Sequence, residues 1–445
     1  MTDELKTIRE VEEMLADQPM LDAHTHIDAS HLTARGLDDI LLYHMVISDL
    51  YAAGCPTGRR MSERPDQAEA HGRLAEALPY FAQIANTSCA WGVRIILRDL
   101  YGWDEPINAD NWRRADDAIR ERAGQRGWAQ EIMERAQVRR ISTELARRGD
   151  GRADGILQYS VESAFFTRVQ KGQNDAPLYE LERTWHCDEL PSPVSVNLDA
   201  AGRPRTPKVI RGVDDARAAM AHYCGLIPYG RVLSTAQHLS TDIRYRRVTD
   251  EEMDRAIRRR EQATIADRDI FASYLLDLFL AELFRHGDEI VYQFSLGAEP
   301  LPFESASRLS QRTIAELAEI IERYPAVRFM AFLSSRHGNQ SMCTLARELP
   351  NLSLAGYWWH NFFPDSIRQV MNERLDMLPA NKQVGFFSDA YCLDWMYAKG
   401  VIVRKQLATV LAGKIVQGQY GMDDARAIGN AILLDSPRQL LGMTF

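Results

Sequence analysis

Short apolar or alternating segments recur along the chain, and stretches with helical periodicity separate them. A repeated strand, helix, strand pattern is typical of a parallel sheet, and eight such strands favour a closed (β/α)₈ barrel. The sequence therefore predicts an α/β fold, a TIM-like barrel. The predicted strands are 20–27 (MLDAHTHI), 91–97 (WGVRIIL), 155–161 (GILQYSV), 231–236 (RVLSTA), 289–296 (EIVYQFSL), 327–334 (VRFMAFLS), 352–359 (LSLAGYWW) and 383–389 (QVGFFSD).

The length of the chain bears on the number of domains. At ~150 residues each, 445 residues would suggest ~3 domains, although one barrel with inserted segments can absorb this length. Residues 38–148 are mostly charged and compatible with helices, which predicts a helical insertion subdomain after the first strand. The predicted strand 91–97 lies inside this range and is equally compatible with a helix. We expect residues 1–445 to form one enlarged barrel.

Charge and cysteine content restrict the partners and the compartment. The chain has 53 Lys and Arg against 62 Asp and Glu, a net charge of −9 that repels polyanions, so we expect no nucleic-acid partner. The N-terminal segment has no apolar run, and acidic residues interrupt the most apolar stretch, 271–284; we expect neither a signal peptide nor a membrane span. Six scattered cysteines without a CxxC pair favour a reducing, cytoplasmic location.

Two histidines, His24 and His26, end the first predicted strand. Alternate side chains of a strand share a face, so both imidazoles are expected to point to the same side at the strand's carboxyl end. Divalent metals such as Zn²⁺ accept two neutral imidazoles and leave room for a carboxylate and a water. The pair therefore indicates half of a metal site.

Asp389 ends the last predicted strand. In a closed barrel the eighth strand lies beside the first, and catalytic side chains come from the carboxyl ends of the strands. His24, His26 and Asp389 are therefore expected to meet around one divalent metal ion, with zinc as the expected cofactor. The alternative is that Asp389 caps the following helix.

Motifs for other chemistries are absent from the sequence. It contains no Gly-x-Ser-x-Gly elbow, no Walker loop and no Gly-x-Gly-x-x-Gly fingerprint. Covalent acyl transfer and nucleotide binding are therefore not expected.

Four segments together resemble the uronate isomerase branch of the amidohydrolase superfamily. The Gly-x-Trp-Trp pattern at 356–359 is the most specific feature, and order and spacing match over 20–54 and about 325–442. From about 100 to 290 the match is loose. The segments are HTHI (24–27), DDILLYHMVISDLYAAG (38–54), LAGYWWHNFFPDSIRQVM (354–371) and VGFFSDAY (384–391).

The resemblance implies a (β/α)₈ barrel that binds one divalent metal through His24, His26 and Asp389. It also implies isomerisation of a glucuronate- or galacturonate-like uronic acid to a ketose, with a proton moved between C2 and C1. Metal coordination would acidify the C2 proton, and Asp389 could transfer it. The partner is then a small-molecule sugar acid, and the family's tendency to self-associate predicts a homo-oligomer.

Further candidate residues come from this resemblance or from their positions near the predicted site. Arg336, in SSRHGNQ, resembles the family's Ser-Arg segment and is a catalytic and substrate-binding candidate. Tyr391 is a further catalytic candidate. His31, Trp358 and His360 are candidates for substrate binding. The alternatives are a surface position for His31 and Arg336 and simple packing for Trp358 and Tyr391.

The sequence also departs from the family pattern. Tyr391 stands two residues after Asp389, where the family usually has an Arg, and a neutral phenol cannot supply that charge. Ser295 stands where many members have a His, and whether His238 is an additional ligand is left open. Two alternatives therefore remain: a metal-dependent hydrolase of a lactone, ester or amide, and a non-catalytic sugar-acid binding protein.

Overall fold

A single parallel sheet of eight strands organises the protein, and a two-stranded antiparallel hairpin lies apart from it. The computed structural model describes residues 3–56, 67–162, 166–167, 169, 172–185, 187–188, 190, 208–286, 290–300, 305–307, 309–357 and 363–444. The strands are β1 Met20–Asp22, β2 Val138–Glu144, β3 Leu157–Glu162, β4 Ser234–Leu239, β5 Val291–Leu296, β6 Ala298–Pro300, β7 Ser305–Ser307, β8 Arg328–Leu333, β9 Leu352–Ala355 and β10 Gln383–Val384.

α-Helices connect most neighbouring strands of the large sheet and surround it, whereas β2 and β3 are joined by a short 3₁₀ turn at Leu145–Arg147. Several begin with the capping residues that the sequence provides: the Thr249 side chain accepts the N–H of Glu252, and Thr264 does the same for Asp267. The helices are α1 Asp3–Ala16, α2 Leu37–Leu41, α3 His44–Ala52, α4 Gln67–Phe81, α5 Ser88–Tyr101, α6 Trp112–Ala123, α7 Trp128–Ala136, α8 Ala176–Thr184, α9 Val213–Gly225, α10 Asp250–Arg258, α11 Ile265–Arg285, α12 Gln311–Arg323, α13 Asn339–Glu348, α14 Pro364–Met377, α15 Leu393–Val416, α16 Met422–Asn430 and α17 Ser436–Leu441.

The eight-stranded sheet has the order β1-β2-β3-β4-β5-β8-β9-β10, with every neighbouring pair parallel. Its two edges meet through backbone hydrogen bonds between the segments that follow β1 and β10. The N–H of Asp389 donates to the carbonyl of His24 (3.0 Å), and the N–H of His26 donates to the carbonyl of Ala390 (2.9 Å). The sheet therefore curls round on itself, and the predicted α/β, TIM-like architecture is confirmed at this level.

An apolar cluster fills the interior of the sheet at the end where the strands begin. Val291, Met330 and Val384 pack together there, and Leu441 and Met443 from the C-terminal segment close the end opposite the strand carboxyl ends. The polar side chains of the candidate site lie at the other end, where the strands finish.

Seven of the eight predicted strands are confirmed, and the second is wrong. Residues 91–97 lie in α5, which begins after the Thr87 cap and ends at Gly102 with a left-handed φ of 64°. Buried Val93, Ile96 and Leu100 recur at helical spacing, which a seven-residue window does not distinguish from a buried strand. The second strand is β2 instead, inside the range expected to be helical.

Six helices, α2 to α7, lie between β1 and β2 within the described residues. Both α5 and α7 pack against α15, which follows the last strand. The separation of 38–148 as a subdomain stays a prediction, and its strand at Val138–Glu144 corrects the expectation of helix throughout. Among the helices of the described chain, none combines the length and apolarity needed to cross a bilayer.

Candidate metal centre

Three side chains converge at the carboxyl end of the sheet. His24 and His26 follow β1, and Asp389 follows β10. Their candidate ligand atoms all lie within 4.8 Å of one another. Asp389 Oδ1 is 3.2 Å from His26 Nε2 and 4.0 Å from His24 Nε2. The structure thus brings together the three residues that the sequence proposed as ligands.

The backbone after β1 sets the direction of the two imidazoles. Thr25, between them, is buried and turned toward β2: its N–H donates to the carbonyl of Ser142 (2.8 Å), and so does its hydroxyl (3.0 Å). Because alternate residues of an extended segment point to opposite sides, His24 and His26 share the other side.

Asp389 has an unusual backbone conformation. Its φ of 54° lies in the left-handed region, which costs a residue other than glycine on the order of 1–3 kcal/mol. Its N–H donates to the carbonyl of His24 (3.0 Å), and its own carbonyl accepts the Tyr43 hydroxyl (2.8 Å). Asp389 is not the cap of the following helix, because Cys392 occupies that position in α15. Backbone hydrogen bonds on both sides of Asp389 therefore hold this residue in its left-handed conformation.

Each imidazole has an acceptor on its second nitrogen. His26 Nδ1 donates to the Glu144 carboxylate at the end of β2. His24 Nδ1 donates to Gln293 Oε1 of β5 (3.3 Å), and the amide nitrogen of Gln293 donates to the carbonyl of Ala23 (3.3 Å), which orients the amide. With the proton on Nδ1, the Nε2 lone pair of each ring is directed to Asp389.

Burial and the neighbouring charges shift the pKa values of the two histidines in opposite directions. Burial lowers the pKa of His24 to about 4, so this ring is neutral at pH 7. Burial also opposes protonation of His26, but Tyr391, Asp389 and Glu144 together raise the pKa of His26 well above its usual value.

The two carboxylates stay ionised. Burial raises the pKa of Glu144, but the hydrogen bond and charge of His26, together with the charge of Arg147, outweigh burial and hold the pKa at about 2. Burial likewise raises the pKa of Asp389, and the hydrogen bond and charge of His26 hold that pKa below its usual range. The cluster therefore combines two imidazoles with two negative charges.

This donor set fits a divalent metal ion. Two Nε2 lone pairs and a carboxylate oxygen directed to one region repel one another unless a positive charge lies among them. A proton on His26 supplies that charge in the metal-free protein, and a divalent cation can take its place. Zinc sites in proteins use nitrogen and oxygen ligands of this kind. Their histidine ligands usually donate the second ring N–H to an acceptor, as His24 and His26 do here.

Aromatic rings and one guanidinium surround the cluster. Tyr391 stacks on His26, with ring centroids 5.3 Å apart and planes at 24°. The guanidinium of Arg147 lies 5.8 Å from the centre of the Tyr391 ring, and its Nε is 3.4 Å from Glu144 Oε1. On the other side, Phe332 lies against His24 with centroids 5.1 Å apart. The site thus has an apolar wall beside His24 and a cation beside His26.

The other predicted site residues lie around the same end of the sheet or outside the described chain. His31 is in the loop after β1, where its Nδ1 is 2.9 Å from Ser30 Oγ. Arg336 follows β8, is exposed, and donates to Gln369 Oε1 (2.6 Å). Trp358 and His360 lie outside the described residues. Their assignment to substrate binding stays a prediction.

His238 and Ser295 form a pair on neighbouring strands. They are partners in the register of β4 and β5, and His238 Nδ1 is 3.1 Å from Ser295 Oγ. Within the part of the chain that the structure describes, the three-residue ligand cluster does not include His238.

Three residues of the site were not found from the sequence: Glu144, Gln293 and Arg147. Glu144 and Arg147 were missed because β2 was not recognised as a strand. Gln293 had a usable signal, since strand alternation places it on one face of β5 with Ser295, a polar row in an otherwise apolar strand.

Comparisons with known proteins give matches in structure only. No family model matches the chain, and no curated protein matches its sequence. The uronate isomerase of Thermotoga maritima superposes with a TM-score of 0.76 at 12% identity, covering 98% of this chain and 97% of that one. The glucuronate isomerase of Caulobacter crescentus gives 0.77 at 15% identity, covering 99% and 94%.

A candidate metal-dependent hydrolase from Lactobacillus casei is also similar, with a TM-score of 0.59, 13% identity and coverage of 97% of both chains. At such identities a structural match shows a shared fold and not a shared reaction. The chain therefore has the fold of the two isomerases over almost its entire length, as the motifs in its sequence suggested.

Proposed function

We propose that the protein is a divergent, uronate isomerase-like metalloenzyme of the amidohydrolase superfamily that converts a uronic acid, or a related sugar acid, to its ketose. The observation that carries the proposal is the cluster of His24, His26 and Asp389, in which Gln293 and Glu144 turn both Nε2 atoms toward the carboxylate. The cofactor is one divalent metal ion, for which we propose zinc. The fold shared with two uronate isomerases supports this reaction over others.

The roles of the residues follow from their charges. A bound metal would polarise the sugar oxygens and make the C2 proton more acidic. Asp389 is ionised at neutral pH, so its carboxylate can accept that proton and return it at C1. His24 is neutral and holds its position through Gln293.

A sugar acid also needs local positive charge, because the net charge of the protein is −9. Arg147, over the Tyr391 ring and ion-paired with Glu144, brings a guanidinium to the side of the site where the family pattern has its Arg. We propose that Arg147 and Arg336 bind the substrate carboxylate and that Tyr391 donates a hydrogen bond to the substrate. His31, Trp358 and His360 complete the proposed substrate contacts.

A second candidate is hydrolysis of a lactone, ester or amide at the same centre. Tyr391 in place of the family's Arg favours it, because that position supplies no charge for an enediolate. The fold shared with the Lactobacillus casei protein is compatible with it. In this reaction Asp389 would take a proton from the attacking water.

Proton NMR of D-glucuronate and D-galacturonate in D₂O, with metal-loaded protein of measured metal content, tests the proposal. We expect ketose formation with deuterium entering the sugar. No ketose and no exchange, together with cleavage of lactone or ester substrates, would replace the first candidate with the second. Binding of a sugar acid that is unchanged in the double variant His24→Ala/His26→Ala would instead indicate a non-catalytic binding protein.

We also propose a cytoplasmic homo-oligomer that acts on a small molecule without nucleic-acid or membrane partners. The six cysteines are scattered along the sequence and include no CxxC pair, which supports a reducing compartment. Light scattering of the purified protein tests the oligomeric state, and a monomer at micromolar concentration would refute that part.

A further inference from the structure

A buried lysine lies behind the candidate ligands. Lys399, on α15, is 1% exposed, and its Nζ donates to the carbonyl of Ser388 and to Tyr43 Oη (2.9 Å). The Tyr43 hydroxyl in turn donates to the carbonyl of Asp389 (2.8 Å). One chain of hydrogen bonds thus holds two consecutive carbonyls of the ligand segment.

The same segment is held from its other side. The N–H of Ser388 donates to Asp22 Oδ1 (2.9 Å), and the N–H of Asp389 donates to the carbonyl of His24 (3.0 Å). The backbone N–H and the carbonyl of Ser388 and of Asp389 are therefore all hydrogen-bonded. Such restraint is what a residue at a φ of 54° requires, because a relaxed backbone would turn the carboxylate away.

The placement of Lys399 is costly. Moving an ammonium group out of water carries a penalty of several kcal/mol, which hydrogen bonds repay only in part. An apolar side chain could fill the same volume without that cost. The lysine is then expected to contribute something other than packing, and its two acceptors, Ser388 O and Tyr43 Oη, both lead to Asp389.

We propose that Lys399 and Tyr43 are positioning residues that hold Asp389 in its left-handed conformation and so direct its carboxylate to His24 and His26. This inference rests on the proposed metal centre, since it assigns the two residues to metal binding. Neither residue belongs to the three-residue ligand cluster, and their hydrogen bonds reach Asp389 through the backbone of its segment.

The full-length protein with Co²⁺ as the probe provides the test. Co²⁺ affinity is measured by competition with a chromogenic chelator, and the visible d–d absorption reports the geometry of the ligands. Tyr43→Phe and Lys399→Met are expected to weaken binding by about 10–100-fold, the usual effect of removing an outer partner of a metal ligand, and to shift the d–d bands.

Lys382→Met is the matched control. Lys382 is also buried and donates two hydrogen bonds, to the carbonyls of Leu349 and Pro350 (both 2.8 Å), but it precedes β10 at the opposite end of the sheet. Burial lowers the pKa of both lysines to about 8, and each substitution removes a buried amine that donates two hydrogen bonds. Lys382→Met is expected to keep the wild-type Co²⁺ affinity and spectrum even if it unfolds at lower temperature.

The outcomes separate this inference from the proposed function. Wild-type affinity and spectrum in Tyr43→Phe would overturn the inference whether or not Lys399→Met folds. Equal losses in Tyr43→Phe and Lys382→Met would also overturn it, since both would then reflect general destabilisation. Failure of the wild-type protein to bind Co²⁺ would refute the metal centre itself.

Discussion

Replacing Glu144 with glutamine tests how the second partner of His26 supports metal binding. Glu144 is 4% exposed and accepts the proton of His26 Nδ1. Glutamine keeps an acceptor oxygen of the same reach, so the tautomer is preserved, but the negative charge is lost. Outer partners of this kind contribute about 10–100-fold to metal affinity. Because the acceptor is retained, we expect the metal affinity to fall by an amount at the lower end of this range, about tenfold, which is ~1.4 kcal/mol of binding free energy.

The effect of Glu144→Gln is expected to depend on pH. Glu144 contributes to the raised pKa of His26, so its removal lowers that pKa and makes protons weaker competitors for Nε2. The metal affinity of the wild-type protein should therefore exceed that of the variant most at high pH, where His26 is unprotonated in both proteins. The difference in affinity should shrink as the pH falls, because His26 has the higher pKa in the wild type and its protonation lowers the metal affinity of the wild type first.

The assay is chelator competition for Zn²⁺ or Co²⁺ between pH 6 and 9. Glu182→Gln is the matched control, since Glu182 is buried to a similar degree and pairs with Arg260 away from the centre. The control should follow the wild type at every pH. Equal affinity of Glu144→Gln and wild type across the range would refute the reasoning, and a constant ratio would refute its electrostatic part.

Three further predictions address the ligands and the core. His24→Ala/His26→Ala should lose stoichiometric metal, measured by elemental analysis, whereas His222→Ala, which removes a ring bonded to the carbonyl of Cys187, should retain it. The zinc affinity should fall as the pH is lowered, because the raised pKa of His26 lets protons compete with the metal for Nε2; an affinity that stays constant between pH 8 and pH 5 in chelator competition would contradict this. Phe332→Ala should lower the free energy of unfolding by about 3–5 kcal/mol in urea titrations, since the ring is 2% exposed, and a loss below 1 kcal/mol would contradict its place in the core.

Local pattern accounts for most of the fold that could be predicted. Strands β3, β4, β5 and β8 are short apolar or alternating runs between helices, and such runs carry their own signal. The failure at β2 has a physical cause. Val138–Glu144 contains Arg139 and Arg140 and few apolar residues, whereas 91–97 has a single charged residue, Arg94, and resembles a buried strand although it belongs to α5.

The sequence by itself determined that His24 and His26 share one side of an extended segment and that Asp389 follows the last strand. Strand periodicity and the order of elements are local properties, and barrel closure follows from them. Only the tertiary structure decided which groups turn these side chains toward one another. Glu144 is 118 residues from His26, Gln293 is 269 from His24, and Lys399 is 356 from Tyr43. Contacts over such separations arise from how strands and helices pack in three dimensions, and no local periodicity encodes them.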